Sequence, residues 1–119
     1  MPLYYQARDR ALSNGRGHHL AAVLWRKRRP VRVGINRNKT HPKARRTFDG
    51  GHEAACLHAE MDALIAAQPG DVLEVMRWLK DGSLTMAKPC EHCQRWIKAS
   101  GVRKVRYTDW NGQWKEMRV

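Results

Sequence analysis

The stretch that decides the fold runs from Lys88 to Val119, KPCEHCQRWIKASGVRKVRYTDWNGQWKEMRV. Its first part has apolar residues three and four apart, so we predict a helix from Cys90 to Ser100, with Gly101 as its C-terminal cap. The alternating run VRKVRYTD predicts a strand, and Asn111-Gly112 is the strongest short signal for a hairpin turn into a final strand. Because a two-residue turn cannot make a parallel crossover, we expect the last two strands to be antiparallel.

The residues upstream predict further helices and strands in alternation. We expect a helix over residues 3–14, a β-hairpin that turns at RKRRP, a long polar loop over residues 37–51, a helix that stops at Pro69-Gly70, and a strand in DVLEVMRWL. This order is typical of an α/β fold with helices packed on a mixed sheet. The length of 119 residues fits a single domain that spans residues 1–119.

The composition limits the classes of protein to which the chain can belong. No segment approaches the roughly 20 apolar residues of a membrane span, and the N-terminal residues lack the apolar stretch of a signal peptide. We therefore expect a cytoplasmic protein with no membrane contact. The three cysteines, Cys56, Cys90 and Cys93, are a low and odd number, which argues against a disulfide framework.

The positive charge lies in one part of the chain. Residues 1–48 hold 13 Lys and Arg against one acid, Asp9, whereas residues 49–119 hold ten basic and ten acidic residues. The whole formal net charge of +12 therefore comes from the first 48 residues. A one-sided basic field attracts phosphates, so we favour contact with polyphosphate or nucleic acid over a basic surface that only aids solubility.

The two cysteines of KPCEHC are ambiguous by themselves. They are compatible with a redox pair, with a structural zinc clip and with half of a catalytic metal site. His58 and Glu60 stand two apart, a spacing that works at a helix start, where first-turn side chains converge beyond the helix end. Three ligands, His58, Cys90 and Cys93, would leave one tetrahedral position for water, whose pKa the metal lowers. Cys56 could instead complete a closed Cys3His site without catalysis.

Together, HAE at residues 58–60 and PCEHC at residues 89–93 resemble the motifs of the zinc-dependent cytidine and deoxycytidylate deaminase superfamily, H-x-E followed by P-C-x-x-C. The resemblance covers most of the chain, with both motifs in order at predicted helix starts. It implies a three-layer α-β-α fold, in which the strands predicted above form a mixed five-stranded sheet with an antiparallel last strand. It also implies one Zn²⁺ per chain, held by His58, Cys90 and Cys93. From its place between the two cysteines, we expect His92 to point to solvent.

The same resemblance implies the reaction and the substrate contacts. Water attacks the carbon that bears the exocyclic amine, Glu60 carries protons to the ring nitrogen and to the departing amine, and ammonia leaves. The backbone around Ala59 would hydrogen-bond the base, and Asn36 would reach the sugar, with Asn38 and His41 as further candidates. The superfamily contains enzymes for cytosine and enzymes for adenine.

The charge distribution suggests whether the substrate base belongs to a free nucleoside, a mononucleotide or a polynucleotide. The antiparallel ending resembles branches that act on free nucleosides and some that act on polynucleotides, whereas deoxycytidylate and transfer-RNA deaminases typically have a parallel last strand. A free nucleoside requires no cations, a mononucleotide requires one or two, and a polynucleotide uses many. We therefore favour cytosine deamination in single-stranded DNA or RNA. Seven basic residues would contact its backbone: Arg26, Lys27, Arg28, Arg37, Lys39, Arg45 and Arg46.

Three alternatives stay open. The substrate of the first is free cytidine, deoxycytidine or a cytidine monophosphate, and that of the second is adenosine in transfer RNA. The third is a non-enzymatic, zinc-stabilised nucleic-acid-binding domain. Trp110 and Trp114 flank the predicted final turn, where one or both would be exposed, and the free sheet edges permit a homo-oligomer.

Overall fold

The computed structural model describes residues 3–13, 19–36 and 59–119. The helices in these residues are α1 (Leu3–Leu12), α2 (Ala59–Leu64) and α3 (Glu91–Ala99), none of them long and apolar enough to cross a membrane. The strands are β1 (His19–Arg26), β2 (Arg29–Ile35), β3 (Val72–Trp78), β4 (Leu84–Thr85), β5 (Lys104–Thr108) and β6 (Trp114–Arg118). The predicted loop over residues 37–51 lies outside the described residues.

The strands form one mixed sheet in the order β2-β1-β3-β5-β6, with β4 paired to β3. Strands β3 and β5 are parallel, and the other pairings in the described residues are antiparallel, including β5 with β6. The predicted α/β class and the antiparallel last strand are therefore confirmed. The sheet has six strands rather than five, because the two-residue strand β4 is too short to give a periodic pattern in the sequence.

Helices cover both faces of the sheet. Helix α1 packs on one face through residues such as Ala7, and α2 and α3 pack on the other through Met61 and Ile97. Strand β3 supplies both cores, since successive side chains of a strand point to opposite faces. Leu73 joins the core under α2 and α3, and Met76 joins the core under α1. The result is the predicted α-β-α layering.

The two ends of the sheet need separate names. At one end, β1 begins next to the last residues of β3 and β2, because His19 pairs with Trp78 and Ala21 pairs with Ile35. We call this the upper end. The lower end contains the turn between β1 and β2 and the starts of β3 and β5. Lys27 and Arg28 form that turn with φ angles of 51° and 66°, the left-handed backbone that suits a two-residue hairpin.

Helix α2 crosses β2 at Gly34 with no room for a side chain between them. A methyl group on Gly34 would overlap the carbonyl oxygen of Ala59 and lie 2.5 Å from the backbone nitrogen of Ala63. Both neighbours belong to the helix backbone, which cannot rotate aside as a side chain can. The height of α2 above the sheet therefore requires glycine at this position.

The polar anchor of the same helix is Asp62, which is buried. Its carboxylate accepts a hydrogen bond from the Ile35 N–H at 3.1 Å and a charge-assisted one from Arg32 Nη2 at 2.7 Å. The Arg32 Nε–H also donates to the Asp62 carbonyl oxygen at 2.7 Å. These bonds fix the rotation of α2 and hence the direction of its first turn, where Glu60 lies.

Gly34→Ala is expected to lower the free energy of unfolding by about 3 kcal/mol, because the added methyl overlaps helix backbone. Urea denaturation followed by circular dichroism measures this change. Gly70→Ala is the matched control: Gly70 has a φ of 90° and open space around it, so only backbone strain of about 1 kcal/mol applies. Equal losses for the two variants would contradict the close approach of α2 to β2.

Candidate active site

The two cysteines of KPCEHC stand at the beginning of α3. Cys90 precedes the first helical turn in an extended conformation, and its carbonyl oxygen accepts the Gln94 N–H at 2.9 Å. The Gln94 side chain returns to the Pro89 carbonyl oxygen at 2.8 Å, which fixes the entry of the chain into the helix. Cys90 is exposed, Cys93 is buried, and their sulfur atoms are in hydrogen-bonding contact. A helix start also favours thiolates through its free N–H groups and dipole.

Glu60 reaches the same place from α2. It lies in the first turn of that helix, is only 4% exposed, and has its carboxyl group in hydrogen-bonding contact with Cys93. Helices α2 and α3 both begin at the upper end of the sheet, and α3 ends at the lower end, where the Gly101 carbonyl oxygen accepts the Gly70 N–H at 2.9 Å. Two helix starts therefore bring Glu60, Cys90 and Cys93 together.

The electrostatics of this cluster are dominated by burial. Burial raises the pKa of Glu60, while hydrogen bonds from its own backbone and from Cys93 oppose the shift. Burial also raises the pKa of the metal-free Cys93 thiol, and Glu60 and Cys90 raise it further. A divalent cation would reverse this shift, because a coordinated thiol is deprotonated. Two thiols beside a carboxyl group thus fit zinc, which sulfur ligands favour.

The described part of the cluster is incomplete as a metal site. Within residues 3–13, 19–36 and 59–119, no three His, Cys, Asp or Glu side chains are grouped so that they could hold an ion. His58, the predicted third ligand, directly precedes Ala59, the first residue of α2, and lies outside the described residues. Cys56 and the side chain of His92 lie outside them as well. The ligand set with His58 therefore stays a prediction.

Two predicted substrate contacts lie at the upper end, near Glu60. Ala59 is buried at the first position of α2. Asn36 follows β2, and its Oδ1 accepts the Leu20 N–H at 3.0 Å. This bond ties Asn36 to β1. Asn38 and His41, together with Arg37, Lys39, Arg45 and Arg46, lie outside the described residues.

The other predicted nucleic-acid contacts lie far from the cluster. Lys27 and Arg28 are exposed at the lower end, and the eight residues of β1, about 25 Å of strand, separate them from the upper end. Arg26 is already engaged, since its Nε and Nη2 donate to Asp71 at 3.0 and 2.9 Å and Nη2 also donates to the Ala66 carbonyl oxygen. Burial would raise the pKa of Asp71, but these bonds and the Gln68 N–H hold it below its ordinary value.

The positioning residues Gly34, Arg32 and Asp62 were not predicted from the sequence. The available signal was an acid at position 62 within the otherwise apolar run MDALIAA, because an acid on a buried helix face requires a partner. The partner is a residue 30 positions upstream, on a different element. Local patterns do not identify such a pair.

The sequence model of one family, the cytidine and deoxycytidylate deaminase zinc-binding region, matches residues 1–109. With the fold and the cluster of Glu60 and two thiols, this match defines a zinc-type deaminase. The chain belongs to the cytidine and deoxycytidylate deaminase family, whose metal is zinc.

Two solved structures share the fold, both of the dCMP deaminase from the cyanophage S-TIM5. The apo form has 21% sequence identity and a TM-score of 0.56, over 92% of this chain and 86% of that chain. The form in complex with dCMP and dUMP has 20% identity and a TM-score of 0.56, over 92% of this chain and 85% of that chain. A comparison with curated proteins gave no match.

Proposed function

We propose that the chain is a zinc-dependent hydrolase that converts cytosine to uracil and releases ammonia. The observation that carries this proposal is the contact between the buried Glu60 carboxyl group and Cys93 at the shared start of α2 and α3. His58, Cys90 and Cys93 would hold the metal. When bound, zinc lowers the pKa of a water molecule, so that hydroxide is available near neutral pH.

Glu60 would move the protons of the reaction. Its carboxylate takes a proton from the attacking water and delivers it to the ring nitrogen of cytosine, and a later transfer protonates the departing amine. The C–O bond forms first; the C–N bond then breaks as the amine takes the remaining proton of the added hydroxyl group through Glu60, and the products are uracil and ammonia. Burial suits this role because it raises the carboxyl pKa towards the pH at which the group must both accept and donate. Ala59 and Asn36 would orient the base and the sugar.

We favour single-stranded nucleic acid as the substrate that contains the cytosine. Trp110, in the turn between β5 and β6, is 70% exposed. This turn lies at the upper end, because β5 runs parallel to β3 and therefore ends where β3 ends. In addition, the carbonyl oxygen of Thr108, the last residue of β5, accepts the Ala87 N–H at 2.8 Å, and Ala87 lies three residues before Cys90. An exposed indole at the same end of the sheet as Glu60 and the two thiols offers a stacking surface for a base that flanks the target. The basic excess of residues 1–48 supports the same substrate.

Free dCMP is the second candidate. It is favoured by the shared fold with the phage dCMP deaminase, whose structure was determined with dCMP and dUMP. Ionic strength separates the two substrates, since each phosphate contact of a polynucleotide adds to the salt dependence of binding. Uracil formation from a cytosine-containing oligonucleotide and from dCMP should therefore be measured at low and high salt. A steep fall for the oligonucleotide supports the first candidate, and activity on dCMP alone would rule it out.

Trp110→Ala is expected to lower kcat/KM on a single-stranded oligonucleotide by about tenfold, because it removes one stacking contact with a base. Turnover of dCMP should change much less, because a free nucleotide has no flanking base. Trp110→Phe retains an aromatic face and should keep most of the oligonucleotide activity. An equal loss on both substrates would instead assign Trp110 to the stability of the β5–β6 turn.

A further inference from the structure

A cavity of about 490 Å³ lies at the lower end of the sheet. The turn between β1 and β2 and the starts of β3 and β5 form its walls. The length of β1 separates this cavity from Glu60 and the two thiols, so it is not part of the active site. In the part of the chain that the structure describes, five cationic side chains line it: Lys27, Arg28, Arg103, Lys104 and Arg106.

Among the described residues, Glu74 is the only acidic one that lines the cavity. It is buried, and its Oε1 accepts hydrogen bonds from the Tyr4 hydroxyl and from Trp25 Nε1, both at 2.7 Å. Its Oε2 accepts from Arg106 Nη1 at 2.6 Å. The carboxylate therefore neutralises Arg106 and is held by two neutral donors, so it does not compensate the other four cations.

The remaining cations are weakly compensated. Lys104 Nζ lies 3.5 Å from Glu116 Oε1, whose side chain is 60% exposed, so solvent screens this pair. Lys27, Arg28 and Arg103 have no carboxylate partner within residues 3–13, 19–36 and 59–119. Like charges on the wall of one cavity repel each other, and a concave low-dielectric surface concentrates their field on whatever enters. An anion with several charges relieves that repulsion.

We propose that this cavity binds phosphate groups, at a site separate from the active site. Arg28 and Arg103 provide guanidinium groups that match phosphate oxygens in pairs, and Lys27 adds a point charge. The cavity volume lies within the range of small-ligand sites, so the cavity has room for a phosphate group together with part of the molecule that bears it. The phosphate comes from a soluble polyphosphate ligand or from the backbone of a nucleic acid, and the charge arrangement is the same for both.

Isothermal titration calorimetry on the zinc-loaded full chain tests the proposal with two probes, inorganic triphosphate and oligothymidylate, neither of which contains cytosine. The double variant Arg28→Ala/Arg103→Ala should weaken Kd about tenfold for a probe that uses the cavity. Lys80→Ala/Lys98→Ala is the matched control, because it removes the same charge from exposed positions away from the cavity. Its Kd should stay within about twofold of that of the unaltered chain.

The two probes distinguish the sources of phosphate. Binding depends on the cavity if Arg28→Ala/Arg103→Ala weakens it. If this holds for triphosphate alone, the ligand is a soluble polyphosphate; if it holds for oligothymidylate alone, the ligand is a nucleic-acid backbone. Either result supports the site. The proposal is overturned if neither probe binds, or if the control variant weakens binding as much as the cavity variant. Thermal melts verify that both variants fold, and Lys27→Ala gives an independent single change. Because binding is read without catalysis, these outcomes do not depend on the deaminase activity.

Discussion

Glu60→Gln is expected to lower kcat for cytosine deamination by about 10³-fold while zinc stays bound. Glutamine has the shape of glutamate and still fits the buried position beside Cys93, but its amide cannot accept and return a proton. Uracil formation under single-turnover conditions, together with metal analysis of the same sample, measures both parts of this expectation.

The matched control is Glu91→Gln. Glu91 lies in the first turn of α3, directly after Cys90, and is exposed. It therefore has the same charge and lies next to the thiols in sequence, without the burial that suits Glu60 to proton transfer. Glu91→Gln should retain nearly full activity. Residual activity in Glu60→Gln that approaches that of the unaltered chain would remove Glu60 from the proposed role.

Cys93→Ala is expected to reduce the zinc content from about one ion per chain to nearly none, and to abolish deamination with it. Cys93 is completely buried between the start of α3 and the core, so its thiolate cannot be replaced by a neighbouring donor without movement of the helix. Cys90→Ala should have a similar effect on metal content with a smaller effect on packing, because Cys90 is exposed. Elemental analysis of dialysed protein measures the loss.

Cys56→Ala and His92→Ala serve as the controls for the metal. Both side chains lie close in sequence to the proposed ligands, and both variants should keep the zinc and the activity. Loss of zinc from Cys56→Ala would support a closed site with three cysteines and one histidine. Such a site has no open position for water and would not support hydrolysis.

The elements that the sequence predicts best have local causes. The final hairpin forms where Asn111-Gly112 predicts it, although the turn is closed by Asp109 and Gln113 rather than spanning two residues. Gly112 adopts a φ of 76°, and the Asp109 carboxylate accepts both the Asn111 and the Gln113 N–H groups. The start of α3 likewise follows from Pro89 and the residues directly after it. These features arise within a few residues, so a pattern in the sequence contains the whole cause.

The features that escape prediction depend on distant partners. Glu74 in the middle of β3 is buried because donors 70, 49 and 32 residues away meet its carboxylate. The separation of the basic turn from the cluster of Glu60 and two thiols depends on the pairing of β1 with both β2 and β3. A run of four basic residues predicts an attraction for phosphate, but it does not indicate to which end of the sheet the phosphate is drawn.

The most direct test of the deaminase assignment is mass spectrometry of cytosine substrates after incubation with the zinc-loaded chain. Single-stranded DNA, single-stranded RNA, dCMP and cytidine should be offered separately, each with the Glu60→Gln chain in parallel. The proposal predicts conversion of cytosine to uracil in at least one substrate, and conversion about 10³-fold slower with Glu60→Gln. The absence of uracil from every substrate, with zinc bound, would contradict it.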